Sequence, residues 1–329
     1  MRVVYFQRKP RSTYNFSVEM LFKQVRSVLP EEVRAVTKQL SFYSEGILNR
    51  VLIGFEAAFN QGEINHITGD INFIALFLRK KRTVLTILDV GFMNHPGKLA
   101  RLFLRLFWIV FPAKRSAVIT TISNSAKSEI LKFVSVDPSK IVVIYVPISN
   151  LFKPVSKVFN KSKPVLLQVG TRSNKNVIRL VKALTGIDCH LDIVGDIDPD
   201  LTYELENSKV EYSSSSNISN EEIVAKYASS DIICFTSVYE GFGMPIVEAN
   251  ITGRVVVTSN LLSMPEVGGN AAHYVDPFSV ESIRNGIQKV INEDDYRNQL
   301  IFNGFENAKR FDLKEITTQY VSVYKGLIR

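Results

Sequence analysis

The sequence predicts a layered α/β protein in two domains, on three observations. Short apolar runs alternate with helical stretches from end to end, the pattern of sheets flanked by helices. With 329 residues the chain is long for one compact domain. Around residues 150–163 the alternation lapses into lysines, a proline and polar residues with little that would pack. The domains are therefore expected at 1–155 and 156–310, with a C-terminal helix at 311–329.

In the first domain, 3–6, 84–88, 117–121 and 141–144 read as strands, being short and rich in β-branched residues. Residues 16–29 and 127–133 read as helices, with Ser125 suited to cap the second. The second domain begins with a strand at 165–169. A loop, Gly170-Thr171-Arg172-Ser173-Asn174-Lys175-Asn176, and a helix to about 184 follow. Another strand, 190–194, ends at Gly195-Asp196, and a short one at 210–212 precedes the serine-rich loop 213–216. Ser219 or Asn220 can cap the helix through Tyr227, with Glu221 and Glu222 favourable in its first turn. Strands 232–236 and 255–258 complete the reading. The last helix carries Tyr320, Val321, Tyr324 and Leu327 on one face and is expected to pack across both domains.

Composition is that of a globular protein, 46% hydrophobic and 22% charged. Cys189 and Cys234 sit inside apolar runs, which suits buried thiols in a reducing compartment. Four scattered histidines and no C-x-x-C pair exclude an evident metal site. The first six residues lack the apolar stretch of a signal peptide, so a cytoplasmic protein is expected.

A net charge of +8 calls for a negative partner. Nucleic acid is disfavoured because no binding module accompanies the charge. One basic cluster is Arg79-Lys80-Lys81-Arg82, and residues 98–115 hold five positive charges and no acid. There Arg101 and Arg105 share a helical side, while Leu102, Leu106 and Ile109 occupy another with Phe103, Phe107, Trp108 and Phe111. Two readings stand: a basic helix at an anionic membrane surface, or a helix packed under the sheet. Its apolar part is too short to span a bilayer.

The most informative stretch is Tyr239-Glu240-Gly241-Phe242-Gly243-Met244-Pro245-Ile246-Val247-Glu248. Glycines let the backbone approach a ligand and turn its N–H groups outward. Pro245 suits a first helical turn. Glu240 would then end a strand while Glu248 stands one turn into the helix, and both acids could face one ligand. A polyol bearing a negative group, such as a nucleotide-sugar, fits that geometry. In open parallel sheets ligands sit outside the carboxyl ends of the strands. Gly170 to Lys175, Gly195 and the Glu240–Glu248 segment all lie at such ends. Arg172 and Lys175 would bring positive charge for a diphosphate, Lys175 near a helix N-terminus.

These strings resemble the retaining glycosyltransferase family 4, with its GT-B fold of two Rossmann-like domains facing a central cleft. Glu240 and Glu248 correspond to the family's E-x7-E signature, and Gln168 to Asn176 looks like its phosphate loop. Residues 259–268 and 271–277 continue the match, and 120–125 and 141–147 have the family's character in the first domain. The resemblance implies a UDP- or GDP-linked sugar donor in the second domain and no further cofactor. Glu248 would bind the ribose. Backbone around Gly241, Phe242, Gly243 and Met244 would contact sugar or phosphates, with Gly170 and Gly195 also at the donor and Glu240 beside the sugar ring. Lys175 and Arg172 would neutralise the departing diphosphate without a metal. The acceptor, a glycan or polyprenyl-diphosphate-linked glycan, would enter from the first domain.

Two departures stand out. The family's His-Asp pair after the strand at 83–87 reads Leu88-Asp89 here, leaving Asp89 but no imidazole. His66, in the turn-like string Asn65-His66-Ile67-Thr68-Gly69-Asp70, and His95 are the candidate substitutes. The first loop, Gln7-Arg8-Lys9-Pro10-Arg11-Ser12, lacks the usual glycine and offers basic side chains instead, which favours an anionic acceptor at the inner face of the cell membrane. The alternatives are a catalytically weakened nucleotide-sugar-binding or assembly subunit, or another GT-B nucleotide-sugar enzyme.

Overall fold

The computed structural model describes residues 1–10 and 17–328. The chain divides into two units, Met1–Pro147 with the C-terminal segment from Leu313, and Ile148–Asp312.

The first unit is a six-stranded parallel sheet: β1 (Arg2–Gln7), β2 (Arg34–Gln39), β3 (Ile64–Ile67), β4 (Thr83–Thr86), β5 (Val118–Thr121) and β6 (Ile141–Val143). Their order is β2-β1-β3-β4-β5-β6, so the chain reverses direction across the sheet between β1 and β3. Its helices are α1 (Ser17–Ser27), α2 (Ile47–Phe59), α3 (Lys98–Leu104), α4 (Phe111–Arg115) and α5 (Asn124–Phe133). Side chains alternate along β1 and supply both faces. Val4 and Phe6 join Ile53, Ile74, Trp108 and Ile130 on one side. Val3 and Tyr5 join Phe22, Val25, Tyr320 and Tyr324 on the other.

The C-terminal helix, Leu313–Gly326, thus belongs to the core of the first unit, where its tyrosines cover the sheet beside α1. The boundary falls after Pro147 instead of at 155 because the connecting segment is built into the second unit. Phe152 packs edge-on against Tyr227, ring centres 5.2 Å apart, and the Val155 N–H donates to Thr252 O at 3.3 Å. Strands β2 and β3 and helix α2 are absent from the sequence reading. β2 is a largely polar edge strand, and β3 carries Asn65 and His66 in what looks like a turn.

Residues 98–115 form α3, a π-helical stretch at Arg105–Val110, and α4. Trp108 and Ile109 are buried, and Phe103 and Phe107 pack against the core. Of the aromatic side expected at a membrane, Phe103, Phe107 and Trp108 therefore face the protein, while Phe111, Arg101, Arg105, Leu99 and Leu102 are exposed.

The second unit holds β7 (Val165–Val169), β8 (His190–Val194), β9 (Glu211–Ser215), β10 (Ile232–Phe235), β11 (Val255–Ser259) and β12 (His273–Val275). Its order is β12-β11-β10-β7-β8-β9, again all parallel, with the reversal between β7 and β10. Helices α6 (Val177–Leu184), α7 (Pro199–Ser208), α8 (Asn220–Ser229), α9 (Met244–Thr252), α10 (Met264–Gly268), α11 (Val280–Asn292) and α12 (Asp294–Ala308) cover the sheet. Ser219 caps α8 reciprocally with Glu222. The serine stretch expected as a loop is mostly strand, because β9 is an edge strand whose side chains stay largely exposed. Both cysteines are buried free thiols.

Candidate functional site

The β7/β10 reversal is where a ligand crevice forms in a doubly wound sheet, and three predicted segments meet there. Gly170 follows β7 with φ +88° and Gly195 follows β8 with φ +142°. Both of their N–H groups are already used, by Val194 O at 2.7 Å and Ser215 O at 2.9 Å. They contribute space instead of donors to a ligand. A Cβ on Gly195 would lie 2.7 Å from Thr171 Oγ1, and one on Gly170 would lie 3.0 Å from Lys175 Cε. The Lys175 stem therefore runs across the bare face of Gly170.

Asn176, in a left-handed conformation, ties the loop down. Its Nδ2 donates to Thr236 O at 3.1 Å and to Pro277 O at 2.7 Å, joining the loop to the ends of β10 and β12. Asn174 Nδ2 donates to Tyr239 O at 3.0 Å and Glu240 Oε1 at 3.1 Å, while Asn174 O accepts from the Val238 N–H at 2.8 Å. Neither asparagine was among the predicted site residues. The left-handed residue between loop and helix was the available signal.

Lys175 Nζ then meets Glu240 Oε1 at 2.7 Å, with the Phe235 ring centre 4.9 Å from the ammonium. Both partners are about one-fifth exposed, at 19% and 17%, so the pair is reachable from solvent yet held in place. Beyond it, Gly243 takes φ +120° and opens α9 with no side-chain cap. Phe242 is buried edge-on against Phe311, ring centres 5.6 Å apart, which anchors the turn and takes its side chain out of the site. Gly241 and Met244 remain half-buried at the turn.

Glu248 lies inside α9 and accepts a hydrogen bond from the Tyr227 hydroxyl at 2.6 Å. Burial pushes its carboxyl up to about 7, against the lowering influence of that hydrogen bond and of the Lys175 charge. Lys175 is thus linked to both predicted carboxylates, by contact to Glu240 and by charge to Glu248. Arg172 is exposed in the same loop.

In the first unit a pocket of about 310 Å³ opens at the β1/β3 reversal. Its walls include Arg8, Asp70, Asn72, Thr86, Leu88 and Asp89. Asp89 Oδ1 accepts the Gly91 N–H at 2.9 Å, and Asp70 Oδ1 accepts the Trp108 indole N–H at 2.7 Å. Asp70 was not a predicted site residue. An acid at a strand's carboxyl end would have marked it, had β3 been recognised. Of the first loop, Arg11 and Ser12 lie outside the described residues.

His66 is fully buried in β3 and does not line the pocket. Its Nδ1 pairs with the Tyr324 hydroxyl and its Nε2 with Thr86 Oγ1, both at 2.7 Å. Burial, with the Arg26 charge, drives its pKa down to about 3, so the ring is neutral. It stands behind the wall, with Thr86 between. His95 is exposed, and its Nδ1 accepts the Gly97 N–H at 3.1 Å in a local turn outside the pocket lining. Among the described residues no group of three His, Cys, Asp or Glu is placed to hold a metal. Nor, among the described residues, is any helix long and apolar enough to cross a membrane.

Residues 151–307 match the family described as "Glycosyl transferases group 1", a match lying wholly within the second unit. The chain is 37% identical over 110 residues to O-antigen chain mannosyltransferase B of Escherichia coli, covering 33% of this chain and 29% of that one. It is 28% identical over 231 residues to the MMP alpha-(1->4)-mannosyltransferase of Mycolicibacterium hassiacum, covering 66% and 56% respectively. The chain therefore spans less than two thirds of the length of either relative. Among solved structures, Anabaena Alr3699/HepE in complex with UDP and glucose superimposes with TM-score 0.77 at 14% identity, over 99% of this chain and 100% of that one. The two parallel sheets thus have the GT-B architecture of glycosyltransferases.

Proposed function

We propose that the chain is a retaining glycosyltransferase of family 4 that moves a sugar from a nucleotide-sugar to a glycan or polyprenyl-diphosphate-linked acceptor in surface polysaccharide synthesis. The observation that carries this reading is the Lys175–Glu240 contact at the β7/β10 reversal, with Glu248 linked to it by charge. A cation in contact with one carboxylate and within the electrostatic reach of a second suits a donor with a diphosphate at one end of a polyol. In this reading Glu248 accepts from the ribose hydroxyls and Glu240 stands beside the sugar ring. Lys175 and Arg172 hold the diphosphate as the sugar's C1–oxygen bond breaks. Fixed positive charge stabilises the leaving group in the transition state, the role a divalent ion has elsewhere. The acceptor hydroxyl forms the new bond on the same face, its proton passing to the departing phosphate oxygen. The first-unit pocket, with Asp70, Asp89 and Arg8, is the acceptor's place.

The names of the two curated relatives support a mannosyl donor as the first to try. A second reading, a donor-binding subunit with weakened catalysis, is favoured by Leu88, which lines the pocket with an aliphatic side chain. Calorimetric binding of UDP, GDP, ADP and their sugars, with and without magnesium, tests the donor site. Selective binding that does not need magnesium is expected. Binding by none of them would remove the transferase reading, and binding without turnover across an acceptor panel would favour the weakened subunit.

A further inference from the structure

Helix α2 is apolar on its exposed side as well as on its buried one. Ile47, Leu48, Val51, Leu52, Phe55 and Phe59 are its exposed large side chains, from 37% to 87% accessible. Its opposite side is apolar as well, with Ile53 and Ala57 in the core and Gly54 so close to Phe77 that a Cβ would lie 2.4 Å from the ring. The polar residues turn inward along the flanks. Arg50 donates to Ser44 O at 3.2 Å and lies over the rings of Phe103 and Trp108, and Glu56 accepts from Ser41 and pairs with Lys38 at 2.8 Å. A helix apolar all round belongs in a core or in lipid, and here half of it faces solvent.

The surroundings select the occupant. Through Arg50 the helix adjoins α3 and the π-helical stretch after it, where Lys98, Arg101 and Arg105 are exposed and no acid occurs from 98 to 115. Leu99 and Leu102 extend the apolar surface there. At the same N-terminal end Lys9 lies over Tyr43, which is exposed together with Phe42 just ahead of α2. Two copies meeting on this face would bring like charges together, and a neutral apolar partner would leave the cations unused. From Ile47 to Phe59 the helix runs about 18 Å, too short to cross a bilayer of about 30 Å. We infer that α2 is a docking helix that lies in the interface of an anionic phospholipid membrane, its apolar face among the acyl chains and the α3 cations at the headgroups. This deepens the proposed function, since it brings the first-unit pocket to where a polyprenyl-linked acceptor resides.

Co-sedimentation with phosphatidylcholine vesicles, with and without phosphatidylglycerol, tests the inference on the purified chain without donor or acceptor. Binding is expected only to the anionic vesicles and should weaken with salt. The double variant Leu48→Ser, Phe59→Ser should lose about tenfold in vesicle affinity with an unchanged melting temperature, because both side chains are exposed. Lys98→Gln with Arg101→Gln should reduce both the affinity and its salt dependence. Parental binding by the double serine variant would overturn the inference. So would a parent that ignores vesicles, including one that dimerises instead and is made monomeric by the same two serines. Nucleotide-sugar binding is read on the same preparations: vesicle failure with donor binding intact removes only the membrane face, and the converse removes only the transferase reading.

Discussion

At the reversal of the second sheet, loops from two strand ends are laced together by Asn174 and Asn176, and they hold a lysine against a carboxylate. At the reversal of the first sheet, an open pocket is walled by Arg8, Asp70, Leu88 and Asp89, and its most elaborate polar network lies behind the wall. There His66 joins Thr86 to Tyr324, Tyr324 reaches Tyr5 at 3.1 Å, and Thr86 pairs with Thr120 at 2.6 Å. The same sheet plan thus spends its polar groups in opposite ways. In the second unit they stand on loops where charge can meet a ligand, and in the first they are satisfied inside, where they fix the sheet against α1 and the C-terminal helix. A buried hydrogen-bonded network rigidifies a core, whereas a charged pair one-fifth exposed is accessible from solvent.

That contrast is tested most sharply by Lys175→Ala. If the second-unit pair stabilises a leaving diphosphate, turnover should fall by about 10²–10³-fold, the effect of removing one preorganised electrostatic group. The melting temperature should hardly move, because a partly exposed ion pair contributes little to folding and Glu240 keeps Asn174. Steady-state kinetics beside a thermal melt separates the two effects. Unchanged turnover would break the assignment of chemistry to this unit.

The first unit should respond in the reverse sense. His66→Leu removes two buried hydrogen bonds, although Tyr324 keeps Tyr5 and Thr86 keeps Thr120. A loss of about 2 kcal/mol in folding stability is expected, with donor affinity unchanged. The pH dependence has a definite sign. In the unfolded chain the imidazole takes up a proton below its ordinary 6.5, while in the fold it stays neutral down to about 3. The unfolded state binds more protons between those values, so the parent loses stability as pH falls through that window. The leucine variant lacks this loss, and the gap between the two proteins should narrow from pH 7 toward pH 4 in denaturant titrations. A constant gap would mean that the ring is not held neutral.

How far the sequence could be read follows from the same division. The second unit was more legible because its candidate site is built from local strings: Gly170 to Asn176 and Glu240 to Glu248 are contiguous, and alternating apolar runs place both at strand ends. The first unit was less so. β2 is a polar edge strand with no apolar run to betray it. His66 in Asn65-His66 has the composition of a turn, and only partners twenty and 258 positions away turn it into a strand residue. The aromatic residues of 98–115 pointed to lipid by composition, yet Trp108 is buried. Instead α2, which the reading passed over, carries the exposed apolar stripe. Which face of an apolar helix is covered depends on the elements packed beside it, and no local string records that.

The smallest expected effect is also the one that separates the units by pH alone. In the proposed donor site Glu248 would have to be ionised to accept from the ribose hydroxyls at full strength, and its carboxyl is pushed up to about 7. A single proton with that midpoint takes the ionised fraction down about tenfold between pH 8 and pH 6, so donor affinity should fall about tenfold over the range. The intact nucleotide-sugar is the ligand to use, since its esterified diphosphate has no proton to exchange there. Tyr227→Phe removes a hydrogen bond that favours the carboxylate, and its inflection should move upward. Glu248→Gln should bind weakly with no inflection. His66 cannot imitate the signal, because it remains neutral throughout this window. A flat profile in the parent would show that the ribose is held elsewhere, and would leave Glu248 as a half-buried acid whose partner is Tyr227.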